Sequence, residues 1–407
     1  MLNTAVAPWP SYTEEEVEAV AAVLRSNRVN YWTGEECRRF EREFAEWSQS
    51  RYAIAVANGT VALDLALHGL GIGAANGGSA TDEVIVTPRT FLASVSCVVN
   101  AGAVPIFADV ERDSGNISAT TISARLTPHT RAFIVVHLAG WPADMDAIMA
   151  LADSYGIKVI EDCAQAHGAR YKGRSVGSIG HIGAWSFCQD KIMTTGGEGG
   201  MVTTDDEELW SRMWSFKDHG KSWEAVYERD HPVGFRWVHD SFGTNWRMME
   251  MQAAIGRIQL KRMAEWTSKR RWHAEKIRDA LKPFSGTTGP IRVPIYEDQN
   301  EGQDSAHAYY KYYAYVRPER MPNDWSRDRI IDELGRRGVP CFQGSCSEVY
   351  REKAFDDTPW RPSEPLPVAQ ELGQTSLMFL VHPTLTEADL VRTVEGIGEV
   401  FGQMTGS

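Results

Sequence analysis

Residues 132–161 read AFIVVHLAGWPADMDAIMALADSYGIKVIE, with a short apolar run on either side of a helical pattern. The runs at 132–136 and 158–161 are rich in β-branched residues, which favours strands. Between them, residues 144–155 carry apolar side chains at helical spacing. Because both runs are apolar rather than alternating, we expect two strands buried on both faces, as in a parallel sheet with a helical crossover.

The same alternation extends to both sides of this stretch. Strand-like runs occur at 54–56, 83–86 and 104–107, and helical patterns at 13–27, 34–48, 61–69, 91–101 and from Ser118 onward. This order predicts an α/β domain with a mostly parallel sheet flanked by helices. In such sheets ligands bind beyond the carboxyl ends of the strands, so the residues directly after each strand are the candidates for function.

A long, charged helical pattern over residues 249–271 ends the alternation. A strand at 309–316, a helix at 325–337, a strand at 377–380 and a closing helix at 387–401 follow it. A chain of 407 residues also exceeds what one core usually serves. We therefore predict a large domain over residues 1–265 and a smaller C-terminal α+β domain over residues 266–407.

The composition excludes several classes of partner. The chain is 43% hydrophobic and 24% charged, as in ordinary globular proteins, and its formal net charge is -12. An acidic surface repels nucleic acid and anionic membranes, so we expect neither as a partner. The six cysteines include no C-x-x-C pair, which favours reduced thiols over a disulfide framework or a metal site. The N-terminus shows no signal-peptide pattern and no apolar run reaches about 18 residues, so we expect a cytoplasmic protein.

Two polar groups follow strands of the predicted sheet. Asn58-Gly59-Thr60 comes directly after the run at 54–56 and opens a helix, and the exposed amides of such a turn suit a phosphate. For this piece alone, a plain N-cap turn with Thr60 as the cap is the more common explanation. Asp162 closes the run at 158–161, where an acid could bind a ribose, a metal or a cationic ring nitrogen. A helix-capping carboxylate is the structural alternative.

A lysine and an aromatic residue complete the set. Lys191 lies in a short connection just before the glycine-rich run at 196–200, and glycines allow a bulky ligand to approach the backbone. A lone lysine is usually surface charge, and the order of residues does not match a Walker A loop. Phe91 follows the strand at 83–86, where an aromatic ring either stacks on a planar cofactor or belongs to the core.

Together these features meet the needs of one cofactor. Pyridoxal 5'-phosphate (PLP) requires an anion cradle, an aromatic face, a carboxylate for its pyridine nitrogen and a lysine for a Schiff base. The order phosphate turn, aromatic residue, strand-end aspartate and lysine supplies all four. The sequence therefore predicts a PLP enzyme.

Longer stretches of the chain carry a resemblance to a known family. They are ANGTVALDLALHGLGIG from Ala57, DEVIVTPRTFLAS from Asp82, VIEDCAQAHGARYKGRSVGSIG from Val159, AWSFCQDKIMTTGGEGGMVTTDD from Ala184 and TNWRMMEMQAAIGRIQL from Thr244. In this combination the sequence resembles the DegT/DnrJ/EryC1/StrS family of PLP-dependent nucleotide-sugar aminotransferases. The resemblance implies the fold-type-I aminotransferase architecture from about Trp9 to Phe401.

The resemblance also implies roles for particular residues. Lys191 would form the Schiff base and Asp162 would pair with the pyridinium nitrogen. The other implied contacts with the cofactor are Gln165 beside the 3-oxygen, Phe91 on the ring face, and Gly59, Thr60 and Ser186 at the phosphate. Asn245, in an Asn-Trp-Arg sequence where the family usually has Asn-Tyr-Arg, would reach the phosphate of a neighbouring subunit, which implies a homodimer with shared sites.

The implied reaction moves an amino group from an amino acid, by resemblance glutamate, to a keto sugar, most simply a nucleotide-linked 4-keto-6-deoxy sugar. Amination of a cyclitol ketone and dehydration of a sugar are alternatives within the family, and Lys191 counts against the dehydratase branch. A scaffold protein without activity is a third alternative. Intact Lys191, Asp162 and Asn245 count against it.

Some positions depart from the usual family pattern. Ala139 and Trp141 stand where tyrosine and glutamine are usual, the loop at 73–81 is longer than expected, and residues 342–348 replace a stretch that often carries proline and histidine. We expect these departures to concern the sugar rather than the cofactor. His167 and His219 lie near the motifs and either contact substrate or are structural histidines.

Overall fold

A computed structural model describes residues 6–296 and 305–406. Up to residue 227 the elements are, in chain order, α1 (Glu14–Ser26), α2 (Glu36–Trp47), β1 (Tyr52–Val56), α3 (Gly59–Leu70), β2 (Glu83–Val86), α4 (Ala93–Asn100), β3 (Val104–Phe107), α5 (Ala119–Ser123), β4 (Thr130–Val136), α6 (Met145–Tyr155), β5 (Lys158–Asp162), β6 (Arg170–Tyr171), β7 (Arg174–Ser175), β8 (Ile182–Ser186), β9 (Gly200–Thr204), α7 (Glu207–Phe216) and α8 (Trp223–Tyr227). The remaining elements are α9 (Glu250–Leu281), β10 (Ile291–Arg292), β11 (Tyr312–Val316), α10 (Arg327–Arg336), β12 (Cys341–Phe342), α11 (Pro367–Thr375), β13 (Ser376–Phe379) and α12 (Glu387–Thr405).

A seven-stranded sheet forms the centre of the molecule, in the order β1-β9-β8-β5-β4-β2-β3. Four of its six strand pairs are parallel, and β9 runs antiparallel to both of its neighbours. The strands are apolar and buried, with helices packed on both faces. The predicted α/β fold with a mostly parallel sheet is confirmed.

A second, fully antiparallel sheet follows helix α9, in the order β10-β11-β13-β12. Its apolar face packs against helices α9, α10 and α12 in a core of its own. Helix α9 has 32 residues and extends to Leu281, ten residues beyond the stretch 249–271 in which the helical pattern was expected. The predicted domain boundary between residues 265 and 266 falls within this helix and stays a prediction.

Local signals in the sequence account for some element ends. Thr13 and Glu16 form the expected capping box at the start of α1. The predicted strand at 309–316 is shorter than expected and begins at Tyr312. The reason is that the amides of Ala308 and Tyr310 donate to Gly140 and Ala139, which draws this segment onto the central sheet domain instead.

The described part of the chain also bears on its environment. None of its helices is long and apolar enough to cross a membrane. All six cysteines are free, as their spacing indicates.

Candidate active site

A cavity of about 610 Å³ opens at the carboxyl ends of the central strands. Seven of the eight residues proposed for the site line this cavity, namely Gly59, Thr60, Phe91, Asp162, Gln165, Ser186 and Lys191. They come from the ends of four different strands and the connections that follow them, so the sheet brings together groups that are far apart in sequence.

One end of the cavity is formed by the start of helix α3. Asn58 caps this helix, and its side-chain oxygen accepts from the Val61 amide at 2.9 Å. The first amides of a helix have no partner within it, and the positive end of the helix dipole lies there, which suits an anion. Gly59 packs so closely against β8 that an added Cβ would lie 2.5 Å from the Cβ of Ser186. Only glycine at this position lets the helix start approach the Ser186 hydroxyl.

Asp162 ends strand β5 and is only 4% exposed. Its carboxylate accepts from the Ser94 hydroxyl at 2.7 Å and from the Ala164 amide at 3.1 Å. Ser94 also shares a hydrogen bond of 2.8 Å with Thr90. Asp162 therefore does not cap a helix, which was the structural alternative. The hydrogen bond from the Ala164 amide closes a local turn, and no helix starts there. Ser94 and Thr90 were missed from the sequence, although both lie in the stretch that contains Phe91.

The neighbouring acid, Glu161, points away from the cavity and is fully buried. Its carboxylate accepts from His137 Nε2 at 2.9 Å and from the amides of Gly177, Ile179 and Gly180 at 2.8, 2.8 and 2.6 Å. Burial raises the pKa of Glu161, but these hydrogen bonds outweigh it, so the pKa lies below its ordinary value. Glu161 thus supports the end of β5 from behind, while Asp162 faces the cavity.

Lys191 lies in the connection between β8 and β9, and its side chain is 15% exposed. Its Nζ is 3.8 Å from Asp190 Oδ1 and 5.3 Å from the centre of the Tyr310 ring. The backbone carbonyl of Lys191 accepts from the indole of Trp9 at 2.8 Å. Asp190, Tyr310 and Ser345 also line the cavity, and the sequence did not single them out. Tyr310 is 120 positions from Asp190, so no local motif connects them.

Two residues frame the middle of the cavity. The ring of Phe91 is 73% exposed and lines the cavity instead of joining the core. Gln165 is buried, and its Oε1 accepts from the Ala139 amide at 2.8 Å, which fixes the orientation of the side-chain amide. A flat ligand between these side chains would meet an aromatic face and an amide donor.

Three further residues lie away from the cavity. Asn245 is exposed and does not line it within this chain. His219 is exposed as well, and its backbone amide donates to Thr244. His167 is fully buried between the rings of Trp185 and Phe187, and burial lowers its pKa to about 3. A buried, neutral ring favours the structural interpretation of His167.

The departures from the family pattern lie in different places. Ala139 and Trp141 line a small separate cavity with several tyrosines. Within residues 342–348, Ser345 lines the main cavity. The long loop at 73–81 precedes β2 and is held by Asp82, which accepts from the amides of Gly73 and Ser79. This loop therefore lies at the amino end of the sheet, opposite the cavity.

Comparisons with known proteins agree with this geometry. A model of the DegT/DnrJ/EryC1/StrS aminotransferase family matches residues 10–398. The chain is 34% identical to GDP-perosamine synthase from Escherichia coli O157:H7, over 96% of this chain and 97% of that protein. It is 33% identical to dTDP-3-amino-3,4,6-trideoxy-alpha-D-glucose transaminase from Streptomyces venezuelae, over 97% and 94% of the two chains. The crystal structure of an aminotransferase from Psychrobacter cryohalolentis is similar with a TM-score of 0.95 at 63% identity, covering 98% of this chain and 100% of that one.

Proposed function

This chain belongs to the DegT/DnrJ/EryC1/StrS aminotransferase family, and on that basis we propose that it uses PLP to move an amino group from glutamate to a nucleotide-linked keto sugar. The observation that carries the proposal is one cavity that contains a lysine amine, a buried carboxylate, an exposed aromatic ring and a helix start. These are the four groups that PLP requires of a protein.

The donor set fits the cofactor. Asp162 would hold the pyridine nitrogen in its protonated form, because a fixed carboxylate favours the positive charge. Its two hydrogen bonds, from Ser94 and Ala164, keep it in place. The start of α3 with Thr60 and Ser186 would hold the phosphate. Phe91 would cover one ring face.

When bound, PLP supplies an electron-withdrawing ring that acidifies the C–H bond beside the substrate nitrogen. Lys191 would carry the cofactor and then, once displaced by the incoming amine, move the proton as general base and acid. Its Nζ is suited to this because Lys191 lines the cavity and its backbone carbonyl is held by the Trp9 indole. Gln165, fixed by the Ala139 amide, would hold the 3-oxygen of the ring.

The acceptor is inferred from the relatives. One relative is named for a GDP-linked amino sugar and another for a dTDP-linked amino sugar. We propose a nucleotide-linked 4-keto-6-deoxy sugar as the acceptor for this chain. It would enter over Phe91 and Ser345, since both lie on the cavity wall and Ser345 comes from the smaller sheet's side of the molecule.

We also propose that the enzyme is a homodimer with shared sites. Asn245 is exposed, which leaves it available to a second subunit. Large apolar side chains of the preceding segment are exposed as well, including Phe235 at 73%, Trp237 at 78% and Phe242 at 98%. Several exposed aromatic side chains close together in the chain are typical of an interaction surface.

The test is an absorption spectrum of the purified protein with PLP, before and after glutamate. The parent should show the visible band of a lysine-bound cofactor, and glutamate should replace it with the shorter-wavelength band of the aminated cofactor. Lys191→Ala should not show the glutamate-dependent change, whereas Lys261→Ala, which removes an exposed lysine of helix α9, should behave as the parent. A parent that remains colourless with excess PLP would contradict the proposal. A band that ignores every amino acid donor would refute transamination.

A further inference from the structure

The residue before the proposed catalytic lysine is an acid, and it lies directly beside the lysine amine. Asp190 Oδ1 is 3.8 Å from Lys191 Nζ, and within the described residues this is the ion pair that Lys191 forms. Both side chains line the same cavity wall.

Tyr310 holds this aspartate in place. Its hydroxyl donates to Asp190 Oδ2, and its ring lies 5.3 Å from Lys191 Nζ. Tyr310 is itself fixed, because its side chain is buried and its amide donates to the Ala139 carbonyl at 2.8 Å. Burial raises the pKa of Tyr310, and the Asp190 carboxylate raises it further, so the hydroxyl remains a donor. The Asp190 carboxylate thus has one oxygen bound to a fixed donor and the other directed at the amine.

Among the charged groups around Lys191, Asp190 is the acid nearest to the amine. Lys311 and the buried Arg270 add positive charge on the side of the smaller sheet. The remaining titratable groups around Lys191 are Asp162, Cys188 and Glu198 on the cavity wall and the buried His167. Burial raises the pKa of Asp190, but Lys191 and then Tyr310 lower it to a greater extent, so the carboxyl is ionised at neutral pH.

We propose that Asp190, held by Tyr310, is a positioning residue that binds the free Lys191 amine as an ammonium ion. This inference rests on the proposed function. To carry the cofactor, the ammonium must leave Asp190 and release a proton. Nζ then forms a C=N bond to the cofactor's aldehyde carbon, and the aldehyde oxygen leaves as water. Asp190 therefore favours the states in which the lysine is free, including the half of the cycle in which the cofactor carries the amino group.

The test compares two forms of the cofactor in equilibrium binding to the apo protein. PLP engages the lysine, whereas pyridoxamine phosphate leaves it free. In Asp190→Asn the lysine no longer has to break an ion pair, so the Kd for PLP should fall about 3- to 10-fold, the range for a partly exposed pair. The Kd for pyridoxamine phosphate should stay the same, because the ion pair is present both before and after this ligand binds. The predicted result is therefore a fall in the Kd for PLP divided by the Kd for pyridoxamine phosphate.

Two variants separate this role from a general structural one. Tyr310→Phe releases Asp190 without removing it and should shift the ratio in the same direction by a smaller factor. Glu198→Gln removes another acid from the cavity wall and should leave the ratio unchanged. An Asp190→Asn protein that loses affinity for both ligands equally, or whose ratio does not change, overturns the inference. A parent that binds neither ligand contradicts the proposed function itself.

Discussion

The buried carboxylate behind the site leads to a quantitative prediction. Replacing Glu161 with glutamine keeps the shape of the side chain but changes one acceptor oxygen into an NH₂ group. Glu161 Oε1 accepts from Ile179 and Gly180, and Oε2 accepts from His137 and Gly177. Whichever way the new amide is oriented, its NH₂ group faces two donors. His137 cannot become an acceptor by changing tautomer, because its Nδ1 already accepts from the Ala143 amide at 3.0 Å.

The expected cost follows from these contacts. A buried donor that loses its acceptor costs about 1–3 kcal/mol. Since two donors face the new NH₂ group, we expect Glu161→Gln to lower the free energy of unfolding by about 2–6 kcal/mol at pH 7. The change should be measured by urea unfolding followed through tryptophan fluorescence. The exposed Glu265→Gln serves as the control, with an expected change within about 0.5 kcal/mol.

The same contacts predict how the difference depends on pH. Hydrogen bonds hold the pKa of Glu161 below its ordinary value in the folded state. The stabilisation that ionised Glu161 provides is therefore complete above its pKa in the unfolded chain, about 4.3, and is lost as the pH falls through its pKa in the folded protein. The difference in the free energy of unfolding between the parent and Glu161→Gln should therefore narrow below about pH 4.3. A change below about 1 kcal/mol at neutral pH would refute the view that these four donors need a charged acceptor.

Three other experiments test separate parts of the structure. Gly59→Ala places a Cβ 2.5 Å from Ser186 Cβ, so it should destabilise the protein by about 1–3 kcal/mol in urea unfolding and raise the Kd for PLP. Unchanged PLP binding would show that the start of α3 does not hold the phosphate. Burial lowers the pKa of Lys311 to about 8, so the folded state disfavours its charge, and stability should rise as the pH increases from about 8 to the unfolded value near 10.4. Lys311→Met should therefore stabilise the protein by about 1–3 kcal/mol at pH 7, with no difference above about pH 10.4, and a variant less stable than the parent at pH 7 would contradict this. Mixing inactive Lys191→Ala and Asn245→Ala proteins under exchange conditions should restore about one quarter of the parent activity if a two-fold dimer shares its sites, and none if each site lies within one chain.

The parts of the fold that the sequence predicted are those that depend on local patterns. Strands buried on both faces appear as continuous apolar runs, and the capping box of α1 is a four-residue signal. The direction of β9 could not be predicted, because a strand buried on both faces has the same pattern whether it is parallel or antiparallel to its neighbours. Most residues proposed for the cavity follow strands directly, and the carboxyl ends of parallel strands meet at one edge of a sheet.

The residues that sequence reasoning missed depend on contacts between distant parts of the chain. Tyr310 reaches Lys191 only because the segment before β11 is hydrogen-bonded to the turn at 138–140. Ser94 reaches Asp162 only because helix α4 starts beside the end of β5. Neither contact produces a periodic pattern or a fixed spacing. The contacts of Tyr310 and Ser94 can be identified once the positions of the two sheets are known.

The turn at 138–140 contributes to the site through its backbone. Ala139, one of the departures expected from the resemblance, makes the contacts described here with its amide and its carbonyl. Its amide donates to Gln165 Oε1 at 2.8 Å, and its carbonyl accepts from the Tyr310 amide at 2.8 Å. One peptide segment thus orients both the amide proposed to hold the ring oxygen and the tyrosine that fixes Asp190. Because both bonds are made by backbone atoms of residue 139, its side chain takes part in neither of them.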